Sequence, residues 1–182
     1  GDKVDSFLYL RKGLVKLFKT DKRGKEQILS INKPGDFVNL LTIFSKTNYS
    51  YSIEAIEETV VCDVELDVLE HIISTNGEFA MRVLNRMSNI SDEIIENRFA
   101  LGQKQLKGRV ATILLYFSHD VYHKPTFDLP ITRREIGELI AMTTENTIRT
   151  FSEFKRDGII NIQNRTITIL DDDRLRSIAK SG

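Results

Sequence analysis

Thr132-Arg133-Arg134-Glu135-Ile136-Gly137, followed after a short break by Thr143-Thr144-Glu145-Asn146-Thr147-Ile148-Arg149, decides how this chain is read. Thr132 can cap a helix start, and Glu135, three residues later, completes a capping box. Ile136, Leu139 and Ile140 then share one helical face. The periodicity breaks at Ala141-Met142-Thr143, where Thr143 can cap a second helix over residues 144–156. In that helix Ile148, Phe151 and Phe154 or Lys155 fall at core spacing. Two short helices joined by a tight turn, the second opening on polar side chains, predict a helix-turn-helix. A helix fits the major groove of DNA, and its N-terminal residues then face base edges. Here those residues are Thr144, Glu145, Asn146 and Arg149.

Downstream, Asp157-Gly158 closes the second helix, and residues 159–163 and 166–170 flank Asn164-Arg165 as a compact β-hairpin with a basic tip. Helix-turn-helix plus hairpin is a winged helix. Thr132, Arg133 and Thr143 at helix starts, with Arg165 on the wing, are placed for phosphates. Charge does not separate DNA binding from protein contact. Arg133, Arg134, Arg149, Lys155, Arg156 and Arg165 face Glu135, Glu138, Glu145, Glu153 and Asp157, a small positive excess.

Upstream, residues 109–118 read as an apolar-rich helix and residues 119–129 as a loop carrying Pro125. Gly102 and Gly108 flank a polar stretch and predict a hinge. Residues 78–105 run without proline as one long helix. Val83, Met87, Ile90, Ile94, Asn97 and Leu101 alternate spacings of four and three, the a/d seam of a coiled coil, with Asn97 as its one polar member. Phe79, Leu84, Ile95 and Phe99 offer a second apolar face. The reading is that the seam meets a second subunit while the other face covers the preceding domain; the alternative is that the seam itself packs there.

From Phe7 to about Leu69 the texture is short strands between turns: residues 7–10, 14–19, 27–31, 51–56 and 59–64, with a turn at Pro34-Gly35-Asp36 and a short helix over residues 67–74. The expected architecture is α+β: a jelly-roll-like β-roll over residues 1–77, a dimerisation helix and hinge over 78–106, and a winged helix over 107–182. The 182 residues, 41% hydrophobic and 29% charged, suit a folded chain with a real core. No apolar run approaches the roughly 20 residues that span a bilayer, and no secretory signal opens the chain, so no membrane partner is expected. Cys62 alone rules out an intrachain disulfide; it reads as a thiol packed in an apolar strand and fits a reducing cytosol. The 26 basic and 26 acidic side chains cancel, so any polyanion site is local.

These motifs resemble the Crp–Fnr superfamily of bacterial transcription regulators over nearly the whole chain. Gly13-Leu14-Val15-Lys16-Leu17 through Lys33-Pro34-Gly35-Asp36-Phe37 is similar to the family's cyclic-nucleotide-binding-type roll, whose first strand is not expected among these residues. Residues 78–105 resemble its dimerisation helix, and the stretch quoted first resembles its helix-turn-helix. The resemblance implies a cytoplasmic homodimer on palindromic promoter DNA, with recognition helices one DNA turn, roughly 34 Å, apart. It also implies RNA polymerase as a partner, and base-reading roles for Glu145 and Arg149; Thr144 stands where the best-known members carry arginine.

The same resemblance places an effector pocket at Val38, Asn39, Leu40, Tyr49, Ser50, Tyr51, Ile94 and Ile95. Members that bind cyclic AMP carry Gly-Glu where this chain has Asn39-Leu40, and Arg-Ser where it has Tyr49-Ser50; no arginine lies between Arg23 and Arg82. A buried phosphate without its arginine costs several kcal/mol, so cyclic AMP is not expected in the usual site. The open alternatives are a haem, a small apolar ligand, a pocket filled by its own side chains, or a cyclic nucleotide in an atypical pocket. His71 is a conceivable haem ligand but reads first as an ordinary histidine, and His119 and His123 are not expected to chelate metal beside Pro125. No enzyme is expected: residues 1–68 hold no histidine for a cupin centre, and no nucleophile triad or phosphate loop stands out. A β-roll/winged-helix protein acting only through protein contacts is the remaining reading.

Overall fold

Alternating apolar residues between tight turns fold the N-terminal stretch into strands, as the pattern predicts. The structure, a computed structural model, describes all residues but Arg23, Lys46, Lys104 and Gly182, and all their side chains but those of Leu41, Glu93 and residues 96–103. The chain divides into two units, Gly1–Asn97 and Arg98–Gly182.

The first unit holds β1 (Ser6–Lys12), β2 (Val15–Thr20), β3 (Glu26–Asn32), the short α1 (Leu40–Ile43), β4 (Ser52–Ala55) and β5 (Val60–Glu65). β1 pairs antiparallel with β5, and β2 lies between β3 and β4 in a second antiparallel sheet. Leu10, Val15 and Val38 pack with Leu8, Leu17 and Ile53. A second cluster gathers Val4, Phe7, Leu40 and Ile43 with Leu69 of α2 (Leu66–Thr75) and Val83 of α3 (Gly77–Gln103). Arg86 of α3 also reaches back to the turn before α1, where its guanidinium donates to Asp36 Oδ1 at 2.8 Å. Cys62 is exposed, not packed. Among the described residues β5 pairs with β1 alone, and within β5 only Val64 is half-buried.

The second unit opens with α4 (Leu106–Leu115), which continues as a π-helical turn over Tyr116–Val121 where the end of a helix and a loop were expected. β6 (Thr126–Asp128) lies within the rest of that loop. Then come α5 (Arg133–Leu139), α6 (Thr144–Arg156), β7 (Ile160–Gln163), β8 (Thr166–Ile169) and α7 (Asp172–Ser181). β8 is the central strand of the sheet β6-β8-β7. The core is built from Val110, Leu114, Phe117, Ile136, Phe151, Phe154, Ile167 and Leu175, all nearly inaccessible. His119 sits in the π-turn and holds α7: its Nε2 donates to Asp172 Oδ1 at 2.8 Å while Arg176 donates to its Nδ1 at 2.7 Å. Among the described residues no helix is long and apolar enough to cross a membrane, and no three His, Cys, Asp or Glu side chains group as a metal site.

Candidate nucleic-acid interface

Residues 132–156 fold locally as their capping pattern dictates. Glu135 N donates to Thr132 Oγ1 at 3.2 Å and Thr132 N donates to Glu135 Oε2 at 2.8 Å, the full capping box. Asn146 N donates to Thr143 Oγ1, so Thr143 caps α6. Between the helices Ala141 takes φ +53°, and Arg109 of α4 donates to the turn carbonyls of Ala141 at 3.0 Å and Ile140 at 3.3 Å. The two helices come close at Gly137, which faces Thr147; buried Thr147 and Thr150 turn their hydroxyls back to the carbonyls of Thr143 and Asn146. Asp157 ends α6, and Gly158, at φ +69°, is the left-handed residue that follows it.

Thr143, Thr144, Glu145, Ile148 and Arg149 are exposed along the N-terminal half of α6, with Asn146 half-buried between them. Arg149 donates to Asn146 Oδ1 at 2.6 Å, which restrains the guanidinium before any ligand arrives. Ile148 departs from the expected pattern. The spacing predicts a core position beside Phe151 and Phe154, but those two are buried while Ile148 remains 47% exposed. The apolar stripe of α6 turns inward at Thr147, Thr150, Phe151 and Phe154, and Ile148 lies just beside it.

The phosphate-directed residues are placed unevenly. Arg133 stands at the first turn of α5 with its guanidinium 5.5 Å above the Phe151 ring. Thr132 spends its hydroxyl inside the capping box, as donor to Glu135 at 2.8 Å. Arg165 is exposed at the wing tip yet donates to Leu129 O at 2.8 Å, so it ties the wing to the entry of α5. Arg133, Ile148, Phe151, Ser152, Lys155, Arg156 and Ile162 line one open groove of about 580 Å³ between α6 and the wing, and no carboxylate is among them. Lys155 Nζ donates to Ile162 O at 3.2 Å across it. On the far side of α6, the hydrogen bond and charge of the Lys107 ammonium hold the half-buried Glu153 carboxyl below its ordinary range, outweighing desolvation.

The expected effector positions are only partly brought together. Asn39, nearly inaccessible, donates to Tyr49 Oη and Ser6 O at 2.7 Å each and accepts from Leu8 N at 3.0 Å. Tyr49 lies edge-on to Tyr51 at 5.8 Å, and Tyr51 Oη is 2.8 Å from Thr42 Oγ1, a partner the sequence reading missed. Burial lifts the Tyr51 phenol above its ordinary pKa despite that hydrogen bond. Val38 and Leu40 are not pocket walls but members of the two separate core clusters: Val38 sits in the turn before α1 and Leu40 opens that helix. Ser50, Ile94 and Ile95 are exposed. His71 is exposed on α2.

The coiled-coil seam also needs correction. Val83, 7% exposed, is sealed in the first unit's core, and Met87 and Ile90 pack against the same cluster. For Val83, Met87 and Ile90 the alternative assignment applies, in which these residues cover the β-unit. Phe79 packs there too, while Leu84 and Ile95 are 54% and 63% exposed. Ile94 is exposed as well; the side chains of Asn97, Phe99 and Leu101 lie outside the described residues.

Comparison with known proteins agrees with both halves of this architecture. Residues 1–76 match the cyclic nucleotide-binding domain and residues 108–178 the Crp-like helix-turn-helix domain. Electron transport regulator A of Shewanella oneidensis is 26% identical over 98% of this chain and 73% of its own length. The transcriptional activator protein anr of Pseudomonas aeruginosa is 27% identical over 98% of this chain and 75% of its own. Among solved structures, FixK2 from Bradyrhizobium japonicum superposes with a TM-score of 0.87 at 25% identity, covering 97% of this chain and 88% of that one.

Proposed function

We propose that this chain, which belongs to the Crp/Fnr family of DNA-binding transcription regulators, works as a homodimer that lays α6 of each subunit into the major groove of palindromic promoter DNA. The observation that carries this reading is the exposed polar face at the start of α6: Thr144, Glu145 and Arg149, with the Arg149 fork steadied by Asn146. A helix that opens on such a face presents donors and acceptors at the height of base edges. Arg133, at the start of α5, and the cations of the adjacent groove supply backbone contacts.

Dimerisation rests on a different stripe from the one the heptad pattern first suggests. Met81, Leu84, Ser88, Ser91 and Ile95 recur at spacings of three and four on the exposed side of α3. Two copies joined along that stripe would cover its apolar members, and the small serines would let the helices approach.

The signal enters through the β-unit. Its polar knot of Asn39, Tyr49, Tyr51 and Thr42 is satisfied by the protein's own groups, which supports a pocket closed by its own side chains over one holding cyclic AMP, haem or an apolar ligand. A signal acts by favouring one of two arrangements of the winged helices, and residues 102–108 are the proposed hinge. The cytoplasm is the proposed location, with RNA polymerase the proposed second partner.

The test is a salt titration of binding to a promoter-length duplex. Neutralisation of phosphates predicts that log affinity falls linearly with log salt concentration. Affinity independent of salt would overturn DNA binding and leave the protein-contact reading.

A further inference from the structure

Ile148 stands on the DNA-facing side of α6 without a polar reason to be there. It is 47% exposed, one turn from Thr144 and Ser152 on the same helical face, and next to Arg149. Every other residue exposed at the start of this helix is polar. Ile148 lines the same groove as the cations Arg133, Lys155 and Arg156. An apolar side chain set among cations matches one feature of duplex DNA. The phosphate backbone is anionic, and the C5-methyl of thymine is the apolar group that the major groove presents. Double-stranded RNA offers neither an accessible major groove nor that methyl, since uracil lacks it.

We infer that Ile148 is a specificity residue that packs against a thymine methyl while Arg133 and Lys155 hold the adjoining backbone. The assignment rests on α6 being the recognition helix, and it names one base that helix selects. The bonds already present favour it. Arg133 is stacked on Phe151 and Lys155 is tethered to Ile162 O at 3.2 Å, so both cations are held at the groove.

The experiment uses the full chain and the tightest duplex recovered from a randomised library, resynthesised with each thymine in turn replaced by deoxyuridine. Loss of one buried methyl weakens binding about three- to fivefold. We expect that loss at one or more thymines with the native protein, and no such sensitivity with Ile148→Ala or Ile148→Ser. Both variants replace a half-exposed side chain, and a thermal melt checks that they fold. Native protein indifferent to every uracil, or an unchanged uracil effect in both variants, overturns the Ile148 assignment and leaves the regulator reading intact. A library that yields no preferred duplex overturns the regulator reading itself, and the assignment with it.

Discussion

Gly137 and Thr147 touch where α5 crosses α6: a Cβ built on Gly137 would lie 2.9 Å from Thr147 Oγ1 and 2.9 Å from Met142 O. The second of these is backbone and cannot rotate away. Alanine is worth about 1 kcal/mol over glycine in a helix interior, but here the helices would have to separate. Gly137→Ala is therefore expected to lower unfolding stability by about 1–3 kcal/mol in urea titration. A neutral or stabilising result would mean the crossing is looser than the structure has it.

Ala141 offers the opposite case. It is exposed, non-glycine and left-handed at φ +53°, a conformation costing an L-residue roughly 1–2 kcal/mol. Ala141→Gly relieves that and removes no buried contact, though it adds entropy to the unfolded chain. The net expectation is a gain of up to about 1 kcal/mol by the same titration. DNA affinity should stay unchanged.

Arg149 and Arg133 should separate base reading from backbone holding. Arg149→Ala is expected to cost roughly 1–3 kcal/mol on the preferred duplex and to relax preference at one position. Arg133→Ala should weaken all duplexes alike and reduce the slope of log affinity against log salt by about 1. Competition binding with matched and mismatched duplexes distinguishes the two outcomes.

The two faces of α3 make contrasting predictions. Leu84→Asp with Ile95→Asp alters exposed positions, so the protein should remain folded and sediment as a monomer. Val83→Asp puts a carboxylate into a core position and should cost several kcal/mol, seen as loss of the cooperative thermal transition. A dimer that survives the first pair of changes excludes the Met81–Ile95 stripe.

Asp172 gives a pH dependence with a definite sign. Partial desolvation raises its pKa, but the hydrogen bonds from Arg176 at 2.6 Å and His119 at 2.8 Å, with the positive charge of Arg176, prevail and leave it below its ordinary value. A carboxyl depressed in the folded state stabilises above its unfolded pKa of about 3.9, and that contribution is lost as pH falls through the folded value. The side chain is 41% exposed, so screening limits the effect to below about 1 kcal/mol. Asp172→Asn should lower stability at neutral pH, and the gap should close at acid pH.

Which parts of this were legible follows from how local their causes are. Capping of α5 by Thr132 and Glu135 and the start of α6 at Thr143 depend on residues three positions apart, and the hairpin around Asn164-Arg165 on pairs no more than nine positions apart. β6 is three residues long and exists because β8 pairs with it across some forty positions, which no local pattern announces. α7 went unread although Asp171, whose carboxylate accepts from Arg174 N, and Leu175 and Ala179 at i, i+4 spacing were its visible signals.

Residue types and periods alone determined that this chain makes strands first, then a long helix, then a winged helix with a polar recognition face. That much follows from short-range backbone preferences. Which side of α3 meets the β-unit, whether Ile148 is core or surface, and whether Cys62 is covered were decided by tertiary packing. An apolar side chain records only that it prefers to leave water; the neighbour that covers it is supplied by elements distant in sequence.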